Sequence, residues 1–346
     1  MVKIALLGFG TIGSSLARII SEDGMRRREQ LKQNPNSKSS ISDALAQVKI
    51  VAIDTLEVED VKKKLQEPEY AGIKDALVTD SFDETLATNP DIVVELIGGV
   101  EPAKSFISKA LSRRIHIVTA NKAVLGVAGE ELRNLAVTNN VELLYEAAVG
   151  GAVPIVRAIR HSLMGDKILS IEGVLNGTTN FILDKMTSEG MDYSDALRQA
   201  QELGFAEADP TSDVEGLDPA AKISILASLA FGRDLSMNDV KTEGITAITQ
   251  GMIISAKSDH LVYKLVAKAV RHGCSDGNDN IELSVAPMLV PEKSAFGELT
   301  GSMNAVEVVS EYSTKLTFFG PGAGGDPTAS AVLADIIEIV SKRFVD

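Results

Sequence analysis

The chain contains a single cysteine, Cys274, and no tryptophan. One thiol closes no intramolecular disulfide, so the fold must be held by its core, and a reducing compartment is expected. Histidine is scarce as well. His116, His161, His260 and His272 show no metal-ligand spacing with one another or with Cys274, and no transition-metal site is expected. No run approaches the ~18 uninterrupted apolar residues of a membrane-crossing helix. Strand-like residues begin at Val2, which leaves no space for the basic and apolar regions of a secretory signal. Positive charge is also short: 34 Lys and Arg face 48 Asp and Glu, a net charge of -14, and the one basic run is Arg26-Arg27-Arg28. The electrostatic footprint of a nucleic-acid binder is therefore missing. The expectation is a soluble cytoplasmic protein with neither nucleic-acid nor membrane partners.

What is present is chain length and a clear pattern. At roughly 100 to 200 residues per domain, 346 residues argue for two domains. Through the first half, apolar runs at Val2–Leu7, Val48–Ile53, Ile92–Ile97, Ile115–Thr119 and Val141–Tyr145 alternate with helix-period segments. Short runs rich in Val and Ile, separated by helices, mark βαβ units and a parallel sheet buried on both faces. The first domain, residues 1–145, is expected to be an α/β Rossmann-type doubly wound sheet. The tract Glu22–Gln47 turns polar, and Asn34–Ser40 reads as an exposed loop.

Beyond about residue 150 the pattern changes. Strands are expected at Ile168–Leu175, His260–Val270, Ile281–Val290 and Ala305–Glu311, with helices at Thr178–Ser188, Ser194–Leu203 and Ala220–Phe231. That order suggests an α+β second domain over residues 146–325. A final helix, Thr328–Phe344 within the segment 326–346, is expected to return to the first domain. The tract Asp234–Asp259 carries no readable motif.

Gly8-Phe9-Gly10-Thr11-Ile12-Gly13 follows the first strand and opens a helix. In that context Gly8 permits the tight turn, Gly10 lets a pyrophosphate approach the backbone, and Gly13 allows close packing of the helix. The helix N-terminus adds free N–H groups and a positive dipole end. Asp54 ends the second strand, where a carboxylate would bond ribose hydroxyls and repel a 2′-phosphate, which favours NAD. NADP stays open, because an arginine of Arg26–Arg28 could reach such a phosphate.

Dinucleotide binding does not name a reaction. Lys122 sits just past a predicted parallel strand, at the carboxyl edge where such sheets bind ligands. The segment Gly204–Lys222 carries five carboxylates within twelve residues and then starts a helix, with Asp218 expected as N-cap, Pro219 first in the helix and Lys222 one turn on. Asp218 and Lys222 would share a helix face. The dipole lowers the lysine pKa and the aspartate raises it, so this ammonium is tunable as a proton donor. Clustered carboxylates also suit a substrate ammonium group. The bland alternative is an acidic exposed loop before an ordinary capped helix.

Taken in order, these motifs resemble the homoserine dehydrogenase family over nearly the whole chain. The resemblance rests on Gly8–Gly13, Glu95-Leu96-Ile97-Gly98-Gly99 with Glu101-Pro102-Ala103, Ala120–Ala123, Tyr145–Pro154, Leu175–Asn180, Gly204–Lys222 and Gly320–Gly324. It implies reversible, NAD(P)-dependent interconversion of L-aspartate 4-semialdehyde and L-homoserine, on the route to threonine, methionine and isoleucine. By matching position, it implies that Lys222 is the proton donor and that Lys122 approaches both substrate and nicotinamide. Glu207, with Asp213 and Asp218, would hold the substrate. Ile97, Gly98 and Gly322 join the fingerprint residues and Asp54 at the cofactor. Glu146, Val149, Gly151 and Val153 match positions that hold a sodium ion in some members, the glutamate by its side chain and the rest mainly by carbonyls. A homodimer is expected. The chain ends at Asp346, so the regulatory ACT domain of many relatives, and feedback through it, are not expected.

Two competing readings differ in class. An aspartate-semialdehyde dehydrogenase needs a nucleophilic cysteine, whereas Cys274 reads as part of a surface turn without a partner base. A non-catalytic NAD(P)-binding sensor would be expected to have lost a lysine or the acidic pocket, yet Lys122, Glu207, Asp218 and Lys222 are all present.

Overall fold

The structure is a computed structural model that describes residues 1–33, 40–273 and 280–342. The loop expected at Asn34–Ser40 falls outside the described residues except for its last member, and the turn expected around Cys274 falls outside from Cys274 onward. The elements run β1 Val2–Leu7, α1 Thr11–Gln33, α2 Ser40–Ala46, β2 Val48–Asp54, α3 Val58–Lys64, β3 Leu77–Thr79, α4 Phe82–Ala87, β4 Ile92–Glu95, α5 Ala103–Ser112, β5 His116–Thr119, α6 Lys122–Asn139 and β6 Leu143–Leu144. They continue with α7 Ile155–Arg157, β7 Ile168–Val174, α8 Gly177–Ser188, α9 Tyr193–Glu202, α10 Thr211–Val214, α11 Leu217–Phe231, β8 Val240–Thr242, α12 Gln250–Ser258, β9 Leu261–His272, β10 Asn280–Pro291, β11 Met303–Ser310, β12 Thr314–Pro321 and α13 Gly325–Lys342. Two compact units result, Met1–Ala148 with Gly324–Asp346, and Val149–Ala323.

The first unit is α/β. Its six parallel strands lie in the order β3-β2-β1-β4-β5-β6, with β1 and β4 adjacent where the winding reverses. That reversal opens a crevice at the carboxyl ends of β1 and β4, the ligand-binding edge of such sheets. β1 and β4 are buried because both faces are covered: Ile4, Leu6, Leu7, Ile92, Val93 and Val94 are sealed from solvent. Full burial of each such side chain contributes about 1.5–3 kcal/mol. α13 packs in this unit, its Ala329, Val332, Ile336 and Val340 joining the core formed by β1, β2 and α1. Arg18 of α1 holds Asp326 at 2.8 and 2.9 Å.

α1 runs well past the expected end at Ser21. Its second half, Glu22–Gln33, is built mostly of Glu, Arg, Gln and Lys, which favour helix without supplying the apolar stripe that would have marked the continuation in the sequence.

In the second unit the sheet order is β12-β11-β7-β9-β10-β8, antiparallel except for β8 beside β10. β12 was not expected as a strand. It is an edge strand whose Lys315, Thr317 and Phe319 are exposed, and an edge that faces water carries little hydrophobic signal. α11 lies in the interior and is apolar nearly all round, with Ile223, Ile225, Leu226 and Ala227 almost wholly buried.

Candidate active site

At the carboxyl end of β1, Gly8 adopts φ 96°, a conformation that favours glycine, and its N–H donates to the Asp54 carbonyl at 2.8 Å. A Cβ on Gly13 would stand 2.3 Å from the Gly8 carbonyl oxygen, so only glycine lets α1 come this close to the turn. Gly10 faces open space, with nothing within 4 Å of a Cβ built there. An open glycine followed at once by a helix start is a cradle for a pyrophosphate. Phe9 is buried against Tyr70, and Thr11 and Ile12 form the first turn of α1.

Asp54 ends β2 and is nearly buried; Thr85 Oγ1 donates to its Oδ2 at 3.4 Å. Burial raises its pKa, and the charge of Asp80 adds to the rise. The three arginines all have partners. Arg26 pairs with Asp23 at 3.1 Å, Arg27 with Asp43 at 2.9 Å, and Arg28 donates to the Val48 carbonyl at 3.3 Å.

Glu95, the one charged residue of β4, is fully buried. Its Oε2 accepts from Thr119 Oγ1 at 2.6 Å, and its Oε1 accepts from the Ile97 N–H at 2.8 Å and from Asn121 Nδ2 at 3.3 Å. Asn121 Nδ2 also donates to the Gly99 carbonyl at 2.7 Å, while Asn121 Oδ1 caps α6 at the Val124 N–H. One carboxylate thus ties the ends of β4 and β5 to the turn Ile97–Gly99, where Gly98 and Gly99 have positive φ. Lys122, half-buried, opens α6 directly after this cluster. Sequence reasoning assigned no role to Glu95, Thr119 or Asn121. A carboxylate closing an otherwise apolar strand was the available signal.

The acidic segment of the second unit is partly helical, because α10 interrupts the expected loop. Asp218 is not the N-cap of the following helix. Gly216, at φ 81°, holds that place, α11 starts at Leu217, and Pro219 is its third residue. The reason is that the Asp218 carboxylate is turned inward to other partners. Its Oδ2 accepts from Lys222 Nζ at 2.8 Å and from Asn176 Nδ2 at 2.8 Å. Lys222 Nζ also donates to the Leu175 carbonyl at 2.7 Å. Both ends of this ion pair are buried, with side-chain exposures of 11% for Lys222 and 6% for Asp218. Asn176 Nδ2 donates further to Asp213 Oδ1 at 2.6 Å, and Asn176 Oδ1 caps α8 by accepting from the Thr179 N–H at 2.8 Å. Burial raises the Asp213 pKa, and neighbouring Asp218 pushes it the same way.

The structure therefore brings Asp213, Asp218 and Lys222 together around Asn176. Glu207 is not in that hydrogen-bonded set. It is exposed on the segment after α9, whose backbone is held by Gln201 Nε2 to the Glu207 carbonyl at 3.1 Å and Thr178 Oγ1 to the Phe205 carbonyl at 2.7 Å. Asn176 and Thr178 lie in the Leu175–Asn180 motif, which carries no assigned role in the sequence; an Asn directly before a helix is a capping signal that points to the first.

Gly150 and Gly151 have φ 74° and 57°, and a Cβ on Gly151 would meet the Gly322 carbonyl at 2.7 Å. Val149 and Val153 are sealed from solvent. Glu146, 3% exposed, belongs to the first unit, where Asp335 accepts from its backbone N–H at 2.8 Å.

Comparisons with known proteins agree in family. A family model described as homoserine dehydrogenase matches residues 154–337, and one described as homoserine dehydrogenase, NAD binding domain, matches residues 8–146. A homoserine dehydrogenase of Synechocystis sp. is 42% identical over 341 residues, 98% of this chain and 73% of the relative. One from Bacillus subtilis is 38% identical, over 99% of this chain and 73% of the relative. The crystal structure of a homoserine dehydrogenase from Thiobacillus denitrificans superposes with a TM-score of 0.85 at 34% identity, covering 100% of this chain and 74% of that one. A hyperthermophilic archaeal homoserine dehydrogenase in complex with NADPH gives a TM-score of 0.76 at 28% identity, over 99% and 98% of the two chains.

Proposed function

The chain belongs to the homoserine dehydrogenase family, NAD(P)-dependent oxidoreductases that interconvert L-aspartate 4-semialdehyde and L-homoserine, and we propose from this premise the roles of its residues. The observation that carries the proposal is the buried Asp218–Lys222 pair at 2.8 Å beside a second carboxylate, Asp213. A bound nicotinamide supplies or accepts the hydride. Lys222 handles the proton: two of its three N–H groups are directed at Leu175 O and Asp218 Oδ2, which aims the remaining one. In the reducing direction that N–H donates to the carbonyl oxygen as negative charge develops there, and in the oxidising direction the amine receives the hydroxyl proton. Asp218 and the Leu175 carbonyl together orient the lysine.

Asp213 and Glu207 are the acceptors for the substrate ammonium group, with Asp218 completing the negative surface. Lys122, a cation at the end of β5, flanks the nicotinamide. Gly8, Phe9, Gly10, Thr11, Ile12 and Gly13 hold the pyrophosphate, with Ile97, Gly98 and Gly322 towards the nicotinamide. NAD is the preferred dinucleotide, because Asp54 and Asp80 make the ribose pocket negative and the arginines of α1 already have other partners. A sodium ion is held at the turn Val149–Val153 by the carbonyls of Val149, Gly151 and Val153, where Gly150 and Gly151 have positive φ. The active protein is a homodimer. Turnover with each dinucleotide, in sodium and in tetramethylammonium chloride, reads out both the cofactor and the cation.

The ammonium site is tested with a substrate that lacks it. 4-Hydroxybutyrate should be oxidised with a kcat/KM at least ~100-fold below that of homoserine, and Glu207→Gln should raise KM for homoserine but not for the deaminated analogue. Equal use of the two alcohols by the wild-type protein contradicts the assignment.

A further inference from the structure

A second lysine of this unit is buried more deeply than Lys222. Lys264 of β9 is 3% exposed, and among the described residues no carboxylate comes within ion-pair distance of it. Its ammonium donates to two neutral acceptors, Asn180 Oδ1 at 2.8 Å and the Leu299 carbonyl at 2.5 Å. Desolvation pushes its pKa down to about 8. An apolar side chain of similar length would be buried there at far lower cost, so what the ammonium adds is directional grip.

The grip acts on two pieces of chain at once. Asn180 stands one helical turn after Asn176 on α8, and its Nδ2 donates to the Gly301 carbonyl at 2.8 Å. The Gly301 N–H donates to Asp184 Oδ2 at 2.9 Å, further along the same helix. At the helix start a Cβ on Gly177 would lie 2.9 Å from the Ser302 carbonyl oxygen. The segment 299–302 is therefore laid along α8 by Lys264, Asn180 and Asp184. The next residue back from α8 is Asn176, whose side-chain nitrogen holds both Asp213 and Asp218.

We propose that Lys264 is a positioning residue for catalysis: by clamping segment 299–302 to α8 through Asn180, it fixes the placement of Asn176 and with it the Asp213–Asp218–Lys222 constellation. This inference rests on the site assignment above. A shift of the helix start by about 1 Å would misplace the proton-handling group, an error that costs up to ~100-fold in rate.

The test combines kinetics with dinucleotide binding. Lys264→Met should lower kcat for homoserine oxidation about 10-fold while the dinucleotide Kd, set in the other unit, stays within about twofold. Lys264→Gln, which keeps a donor nitrogen, should recover most of that loss. In an Asn176→Ala background, Lys264→Met should cost less than about twofold more, because the two residues act in series. Folded Lys264→Met protein with wild-type kcat, or losses that multiply independently with Asn176→Ala, would overturn the proposal. Failure of both Lys264 variants to fold would assign the lysine to the core alone and overturn it equally. Lys222→Ala, measured in parallel, separates this outcome from failure of the underlying site: an active Lys222→Ala protein removes the site assignment itself, whatever Lys264 does.

Discussion

Asp213 shows how a single residue can trade stability for function. Burial and Asp218 raise its pKa, so the folded chain holds that proton to higher pH than the unfolded chain does. The resulting bias towards the folded state is complete in acid, below the ordinary aspartate value, and is lost as pH rises through the raised one. Once ionised, the buried carboxylate is a cost to the fold, and in the role proposed above it is what would offer a negative acceptor to the substrate. Asp213→Asn keeps the oxygen that Asn176 binds and removes that cost. Thermal denaturation should show a higher Tm than the wild type at neutral pH and no difference well below the ordinary aspartate pKa, with KM for homoserine raised. A variant less stable at neutral pH than the wild type would contradict the burial argument. Asp54 follows the same sign logic, as its own pKa is raised mainly by burial.

At the scale of elements, the sites are made where helices begin. Asn121 caps α6 with its oxygen and, through its nitrogen, ties Glu95 and Gly99 together; Asn176 does the equivalent at α8. Asn121→Ala should destabilise the protein by about 1–2 kcal/mol in urea denaturation and weaken dinucleotide binding, since the turn Ile97–Gly99 loses its anchor. Unchanged dinucleotide affinity would separate that turn from the cofactor.

Much of this level was legible in the sequence. The Val- and Ile-rich runs marked β1, β2, β4 and β5, and the glycine fingerprint marked the start of α1. What stayed hidden had physical reasons. β12 faces water, the second half of α1 has no apolar stripe, and Asp218 carries the composition of an N-cap while its side chain serves a tertiary partner, Asn176. Glu95, Asn180 and Lys264 act through contacts 24 to 121 residues apart in sequence, which local patterning does not register.

On the scale of the whole molecule, labour is divided. The Met1–Ala148 unit, completed by Gly324–Asp346, carries the dinucleotide features, and Val149–Ala323 carries the acidic cluster and its lysine. No helix among the described residues is long and apolar enough to cross a membrane. The second unit also leaves an unpaired edge at β12, with Phe319 72% exposed. A solvent-facing sheet edge with an aromatic on it is where the proposed dimer would pair. Light scattering should give twice the 36.7 kDa chain mass, and Phe319→Lys should shift it towards one chain. A monomer at micromolar concentration would exclude the dimer.

The central claim is that Lys222, held by Asp218 and Leu175, moves the proton of this reaction. Its most direct test is homoserine-dependent dinucleotide reduction by wild-type and Lys222→Ala protein, with dinucleotide Kd measured on the same samples. The account predicts that kcat falls by ~100-fold or more while Kd is unchanged. Turnover near the wild-type rate without that lysine would contradict it.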